Sequence, residues 1–347
     1  MTRDLVELVR AFRPSARPLA VAAALLLAAA CKDASSAPPD PNGIRTVIVG
    51  VQVDSAAFRD RGEFTLRLVP VNGSGTVVLT EGLTVTPAVT APTSQALPPV
   101  SQQLQLPDTR PVAAAIVLDD SKSMGDNDPT GQRASAARSF WQELILASPS
   151  SQVALLAFGG DRSTAPFART KLLESWTSDT TRLSAALGLL APTGSTYLYE
   201  STAEVTPWVD GSRPVTSYRR VMLVVTDGLP TDSGNAALAI QSAAAAQIPI
   251  YTVGIGPASS ESATSDPAAV ERLRELAYGT NGVYAGVENN TALKTTFRTL
   301  AQLATDGALL VTVRMSPAPA AGTAVRGTVR VANDIGGASA GWSFTAR

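Results

Sequence analysis

The sequence predicts an α/β fold: a central, mostly parallel sheet with helices on both faces, inserted in or flanked by a small antiparallel β-sandwich. Three observations carry this. Between residues 110 and 305, continuous apolar runs such as "PVAAAIVLD", "QVALLAFGG", "RVMLVVTDG" and "IPIYTVGIG" alternate with segments of helical period. Strands that are apolar throughout and separated by amphipathic helices belong to a parallel sheet covered on both sides. On either side, at 44–109 and 306–347, the apolar period falls to two, as expected of antiparallel strands with one wet face. Finally, oxygen-bearing side chains gather just after the apolar runs, at the strand ends where parallel sheets bind ligands.

Taken in chain order, residues 1–30 read as a lipoprotein signal peptide. Arg3, Arg10, Arg13 and Arg17 precede the apolar run Leu19 to Ala30, which is short of the roughly 20 residues needed to span a bilayer. The junction "LAAAC" resembles a bacterial lipobox, which implies cleavage before Cys31 and lipidation of its thiol. An ordinary signal peptide with an incidental cysteine is the other reading. Lys32, where aspartate would favour inner-membrane retention, leans toward the outer membrane. Residues 31–43 are a Pro/Ser/Ala-rich tether without periodicity.

In the first β-region, 44–109, "TVIVGVQV" and "FTLRLVPV" alternate cleanly, and "TVVLTEGLTVTP" reads as two short strands broken at Glu81-Gly82. "TPAVTAPTSQALPPV" is proline-rich and reads as an edge or loop. In the α/β region, "RASAARSFWQELILA" puts Ala137, Phe140, Trp141, Leu144 and Ile145 on one helical face, and the last helix does the same with Leu293, Phe297, Leu300 and Ala301. From 306, Leu309, Val311, Val313 and Met315, then Val325, Val329 and Val331, then Trp342, Phe344 and Ala346 alternate with polar residues. The tail is too small to hold a core alone. It is therefore expected to complete one sandwich with 44–109, with the α/β domain inserted between the halves; two separate β-units are the alternative.

Composition narrows the function. The net charge is −1 with 16% charged residues, so there is no basic field for nucleic acid. The chain has no histidine, which excludes Ser-His-Asp and Cys-His catalysis and His-ligated zinc. Its single cysteine, Cys31, excludes an intramolecular disulfide and a cysteine metal cage. Any metal must be held by oxygen, which points to a hard cation such as Mg²⁺, Mn²⁺ or Ca²⁺.

The oxygen donors at strand ends are Asp119, Ser121 and Ser123 in "LDDSKSM", Thr196 in "PTGSTYLYES", and Asp227 in "VMLVVTDG". This ordered set resembles the von Willebrand factor A domain and its metal-ion-dependent adhesion site over about residues 110–304; "NGVYAG" is similar to the family's final strand. The resemblance implies a Rossmann-like sheet and one Mg²⁺ (or Mn²⁺) held by Asp119, Ser121, Ser123, Thr196 and Asp227. It also implies a protein partner whose exposed Asp or Glu completes the metal's shell. Neutral hydroxyls with few carboxylates leave such an ion attractive to an outside acid. Lys122 departs from the glycine common between the two serines; it reads either as a solvated side chain or as a cationic rim favouring acidic partners. Asp120 and Asp126 are expected to face solvent, and Asp232 is a candidate to stand behind the ligands.

No enzyme is expected. "GASAG", Gly337 to Gly341, matches G-x-S-x-G in form only: without histidine it has no conventional triad, and it reads as a turn. None of the four lysines follows a serine at the S-x-x-K spacing. Two functions stand: a lipid-anchored envelope module that binds a protein through the metal, with no small-molecule substrate, and a structural envelope protein in which the metal only staples loops.

Overall fold

A computed structural model describes residues 40–106, 109–159, 163–259, 265–287 and 290–346. The signal segment and Cys31 lie outside the described residues. The chain begins with β1 (Ile44–Gln52), α1 (Ser55–Arg61) and β2 (Glu63–Asn72). Asp54 caps α1 by accepting from Ala57 N at 2.7 Å, and Gly62 ends it in the left-handed region at φ 69°. Then come β3 (Thr84–Ala91), β4 (Gln95–Ala96) and β5 (Pro99–Gln105). The α/β segment comprises β6 (Val112–Asp119), α2 (Met124–Asn127), α3 (Gln132–Ala147), β7 (Gln152–Phe158), β8 (Thr170–Thr177), α4 (Thr180–Ala186), α5 (Leu198–Ser212), β9 (Arg219–Thr226), α6 (Ala236–Ala245), β10 (Ile250–Ile255), α7 (Pro267–Gly279), β11 (Tyr284–Val287) and α8 (Asn290–Asp306). The tail supplies β12 (Ala308–Arg314), β13 (Ala324–Ala332) and β14 (Gly337–Thr345).

These strands form a ten-stranded sheet in the order β5-β12-β2-β1-β11-β10-β9-β6-β7-β8 and a four-stranded antiparallel sheet in the order β14-β13-β3-β4. From β11 to β7 the large sheet is parallel. Every residue of β6 is buried, as its unbroken apolar run requires. Ala115 and Val117 join the core on the side of α5, α6 and α7. Ala114, Ile116 and Leu118 join the core with residues of α3, α4 and α8.

The two flanks pair with each other across the α/β segment. Val311 of β12 lies opposite Leu66 of β2, and Val329 of β13 lies opposite Pro87 of β3. The sandwich is not separate from the parallel sheet, however. One of its layers, β5-β12-β2-β1, continues that sheet, joined where Val49 of β1 meets Tyr284 of β11. The two layers share an aromatic core: the ring of Phe64 lies 5.2 Å from Trp342 and 5.0 Å from Phe344, and Phe58 lies 5.3 Å from Phe344. Burial of each such ring contributes roughly 1.5–3 kcal/mol. Trp342 lies so close to β13 that a Cβ on Gly327 would come within 2.1 Å of its ring.

Three local expectations change, and one strand escapes the sequence pattern. Residues 76–80 form no strand; Val77 makes only an isolated bridge to Val71. "GASAG" is not a turn but the first half of β14, since small residues pair readily with β13. The proline-rich segment is mostly strand: Pro87 lacks an N–H, but its carbonyl accepts from Leu97 N at 3.0 Å, so β3 sits inside the small sheet. The edge strand β8 has mixed burial and no clear period, which conceals it in the sequence.

Candidate functional site

Two parallel strands in register set the site. Leu118 of β6 pairs with Val225 of β9, so Asp119 comes opposite Thr226, and Asp227 emerges one residue further on. Asp119 and Asp227 are both fully buried. After Asp119 the chain turns back, and Ser121 N donates to Asp119 Oδ1 at 2.8 Å, closing a tight Asx turn. The Thr226 hydroxyl donates to Asp119 Oδ2. The Ser121 and Ser123 hydroxyls lie 3.2 Å apart, and Ser123 Oγ donates to Asp227 Oδ1 at 2.9 Å. Asn127 Nδ2 donates to Asp227 Oδ2 at 2.7 Å. Four of the five sequence-predicted residues thus form one hydrogen-bonded cluster.

Thr196 reaches the cluster through its loop. Lys122 N donates to Gly194 O at 3.2 Å, and Thr193 N donates to Asp120 O at 2.8 Å. From the other side, Thr231 donates to the Thr196 carbonyl twice, from its N at 2.9 Å and its Oγ1 at 3.1 Å. Asp232 Oδ2 accepts from Glu200 N at 2.6 Å in the first turn of α5, three residues after Tyr197 ends the loop that carries Thr196. Among the described residues, these hydrogen bonds latch the three loops to one another.

Asp120 is a correction. It was expected to face solvent, but it is buried, accepting from Ala191 N at 2.7 Å and from Arg133 Nη2 at 3.1 Å. Arg133 Nη1 also donates to Asp128 Oδ2 at 2.9 Å, so a buried ion triad ties the loop to the start of α3. Burial raises the Asp120 carboxyl above its ordinary value, opposed by the Ala191 amide and Arg133. Asp126 is exposed, as expected. Thr226, Asn127 and the Arg133 triad were missed. A threonine closing the otherwise apolar strand before Asp227, and an asparagine four residues after Ser123, were the available signals.

The electrostatics follow from burial. Burial pushes the Asp119 carboxyl up to about 6; hydrogen bonds from Ser121 and Thr226 oppose this and the charge of Asp227 adds to it. The donors to Asp119 and Asp227 are hydroxyls, one backbone amide and one side-chain amide, all neutral. Among the described residues, no Lys or Arg forms an ion pair with either carboxylate. Nor do the described residues contain any group of three or more His, Cys, Asp or Glu side chains placed to hold a metal. A cation here would depend on hydroxyls as well as on these two carboxylates.

The von Willebrand factor type A domain family model matches residues 115–301. No curated protein matches the chain. Among solved structures, a von Willebrand factor type A protein from Catenulispora acidiphila is 14% identical, covering 88% of this chain and 75% of its own, with a TM-score of 0.43. The vWF domain of the type V pili tip protein Mfa5 from Porphyromonas gingivalis is 15% identical, covering 56% of this chain and 95% of its own, at 0.42. The conserved hypothetical protein BatB from Bacteroides thetaiotaomicron is 23% identical, covering 56% and 98%, at 0.40. Since the family model spans more than half of the 347 residues, this chain belongs to the von Willebrand factor type A domain family, a family of protein-interaction modules.

Proposed function

We propose that this chain is a binding module of the bacterial cell envelope, lipid-anchored through Cys31, that captures an acidic group of a protein partner on a divalent ion. Asp119, Ser121, Ser123, Thr196 and Asp227 would hold the ion, with Mg²⁺ or Mn²⁺ as the candidates. The observation that carries the reading is the pair of wholly buried carboxylates, Asp119 and Asp227, met only by neutral donors. Two buried negative charges without a cationic partner are costly, and a dication answers that cost. The donor set suits a hard ion, since every member is oxygen. When bound, the ion would supply a Lewis-acidic position for the partner's carboxylate. No described helix is long and apolar enough to cross a membrane.

The alternative, an ion that merely staples loops, is disfavoured by the latches. Thr231 on Thr196, Lys122 on Gly194 and Thr193 on Asp120 already hold the loops together. The chain has no histidine, so a histidine general base is excluded at this site. The test is calorimetric titration with Mg²⁺ and Mn²⁺, followed by partner capture from envelope extract in metal or in chelator. Thr196→Ala should weaken capture strongly while changing folding stability by only about 1 kcal/mol. Absence of divalent binding at millimolar concentration, or equal capture in chelator, refutes the reading.

A further inference from the structure

Lys122 stands between Ser121 and Ser123, exposed where Ser121 is buried. Its backbone is fixed, because its N–H donates to Gly194 O at 3.2 Å. The other basic side chains around the site are engaged. Arg133 is held by Asp120 and Asp128. Arg169 donates to Glu200 at 2.7 Å and lies over the Tyr197 ring at 4.4 Å. Lys171 donates to Leu189 O at 3.0 Å. Among the described residues, Lys122 forms no ion pair.

We propose that Lys122 makes this site selective for an acidic peptide segment, by supplying the exposed positive charge that draws in a carboxylate. This inference rests on the proposed metal site. Asp119 and Asp227 together carry two negative charges, which a bound dication cancels. Seen from a distance, the filled centre is then close to neutral, and the field that an approaching acid meets is set by the exposed side chains of the rim. Among the described residues, Lys122 is a cation of that rim whose ammonium has neither a carboxylate nor a carbonyl partner, whereas Lys171 is held by Leu189 O. A lone charge on the rim acts through water, so its effect is modest and falls with salt. It acts with opposite signs on the two binding events. The ammonium repels the incoming dication and attracts the incoming carboxylate.

The experiment uses the full chain and its Lys122→Gln and Lys122→Arg variants. Mg²⁺ affinity is measured by calorimetry. Affinity for a capped Gly-Asp-Gly peptide, with Gly-Asn-Gly as the uncharged control, is measured by NMR titration in saturating Mg²⁺. In Lys122→Gln, Mg²⁺ should bind about two- to threefold more tightly and the acidic peptide about threefold more weakly. Both differences should shrink toward nothing at about 0.5 M salt. Lys122→Arg should match the wild type, because it keeps the charge. If the wild type binds no divalent ion, the metal reading itself fails. If metal binds but the acidic peptide does not discriminate wild type from Lys122→Gln, this inference alone is overturned. The same holds if metal and peptide affinities fall together, which would mark distortion of the loop.

Discussion

Replacing Asp119 by asparagine should stabilise this protein in chelator and abolish its stabilisation by metal. The carboxyl is wholly buried, and burial pushes it up to about 6. The folded chain therefore keeps this proton over a range, from about pH 4 to about pH 6, in which the unfolded chain has lost it. The stability this group contributes is complete at the low end of that range and is lost as pH rises through about 6. At pH 7.5 without metal, holding Asp119 ionised costs about 3 kcal/mol. Asparagine is nearly isosteric and removes that cost. Its carbonyl can still accept from Ser121 N, and the Thr226 hydroxyl can turn to accept from the new amide. Allowing about 1 kcal/mol for poorer hydrogen bonds, the variant should gain about 2 kcal/mol in chelator. Wild type in Mg²⁺ at about 100 times its dissociation constant should recover about 2.7 kcal/mol, and the variant nothing. The assay is urea denaturation of both proteins at pH 4 and pH 7.5, with chelator or Mg²⁺. The gap in chelator should close at pH 4. A wild type indifferent to Mg²⁺, together with a variant less stable than wild type in chelator at pH 7.5, would refute the reasoning.

Arg133→Met should destabilise the fold by about 3–5 kcal/mol, read from the urea midpoint, because it strands Asp120 and Asp128 as buried charges; a loss under about 1 kcal/mol would show that the triad does not hold the loop. Residues 306–347 expressed alone should show no cooperative unfolding, since β12 pairs with β2 and β5 and β13 pairs with β3, all outside the fragment; a folded tail would refute this. Cys31→Ser should release the protein from membranes and abolish acyl labelling in cell fractionation, and unchanged membrane retention would refute the lipid anchor.

The sequence alone determined the layered α/β arrangement, because an unbroken apolar run such as Val112 to Leu118 can be buried only if helices cover both faces of its sheet. It also gathered the oxygen-bearing side chains of the candidate site: Asp119, Ser121, Ser123 and Asp227 fall at the ends of apolar strands. Period two in the flanks identified half-buried strands, but periodicity records only which face a residue presents, not which strand lies beside it. Only the tertiary structure decided that β1 joins the parallel sheet at Val49 and Tyr284, so that one layer of the sandwich extends the α/β sheet. It alone decided the fate of Asp120 as well. A carboxylate on a loop is assumed solvated until a partner is found, and its partner, Arg133, lies on a helix whose direction is set by packing against the sheet. Likewise Thr226 faces Asp119 because two strands distant in sequence pair in register. Contacts of this kind depend on which elements become neighbours, and pairing and packing across the whole chain settle that, not the local pattern of any one segment.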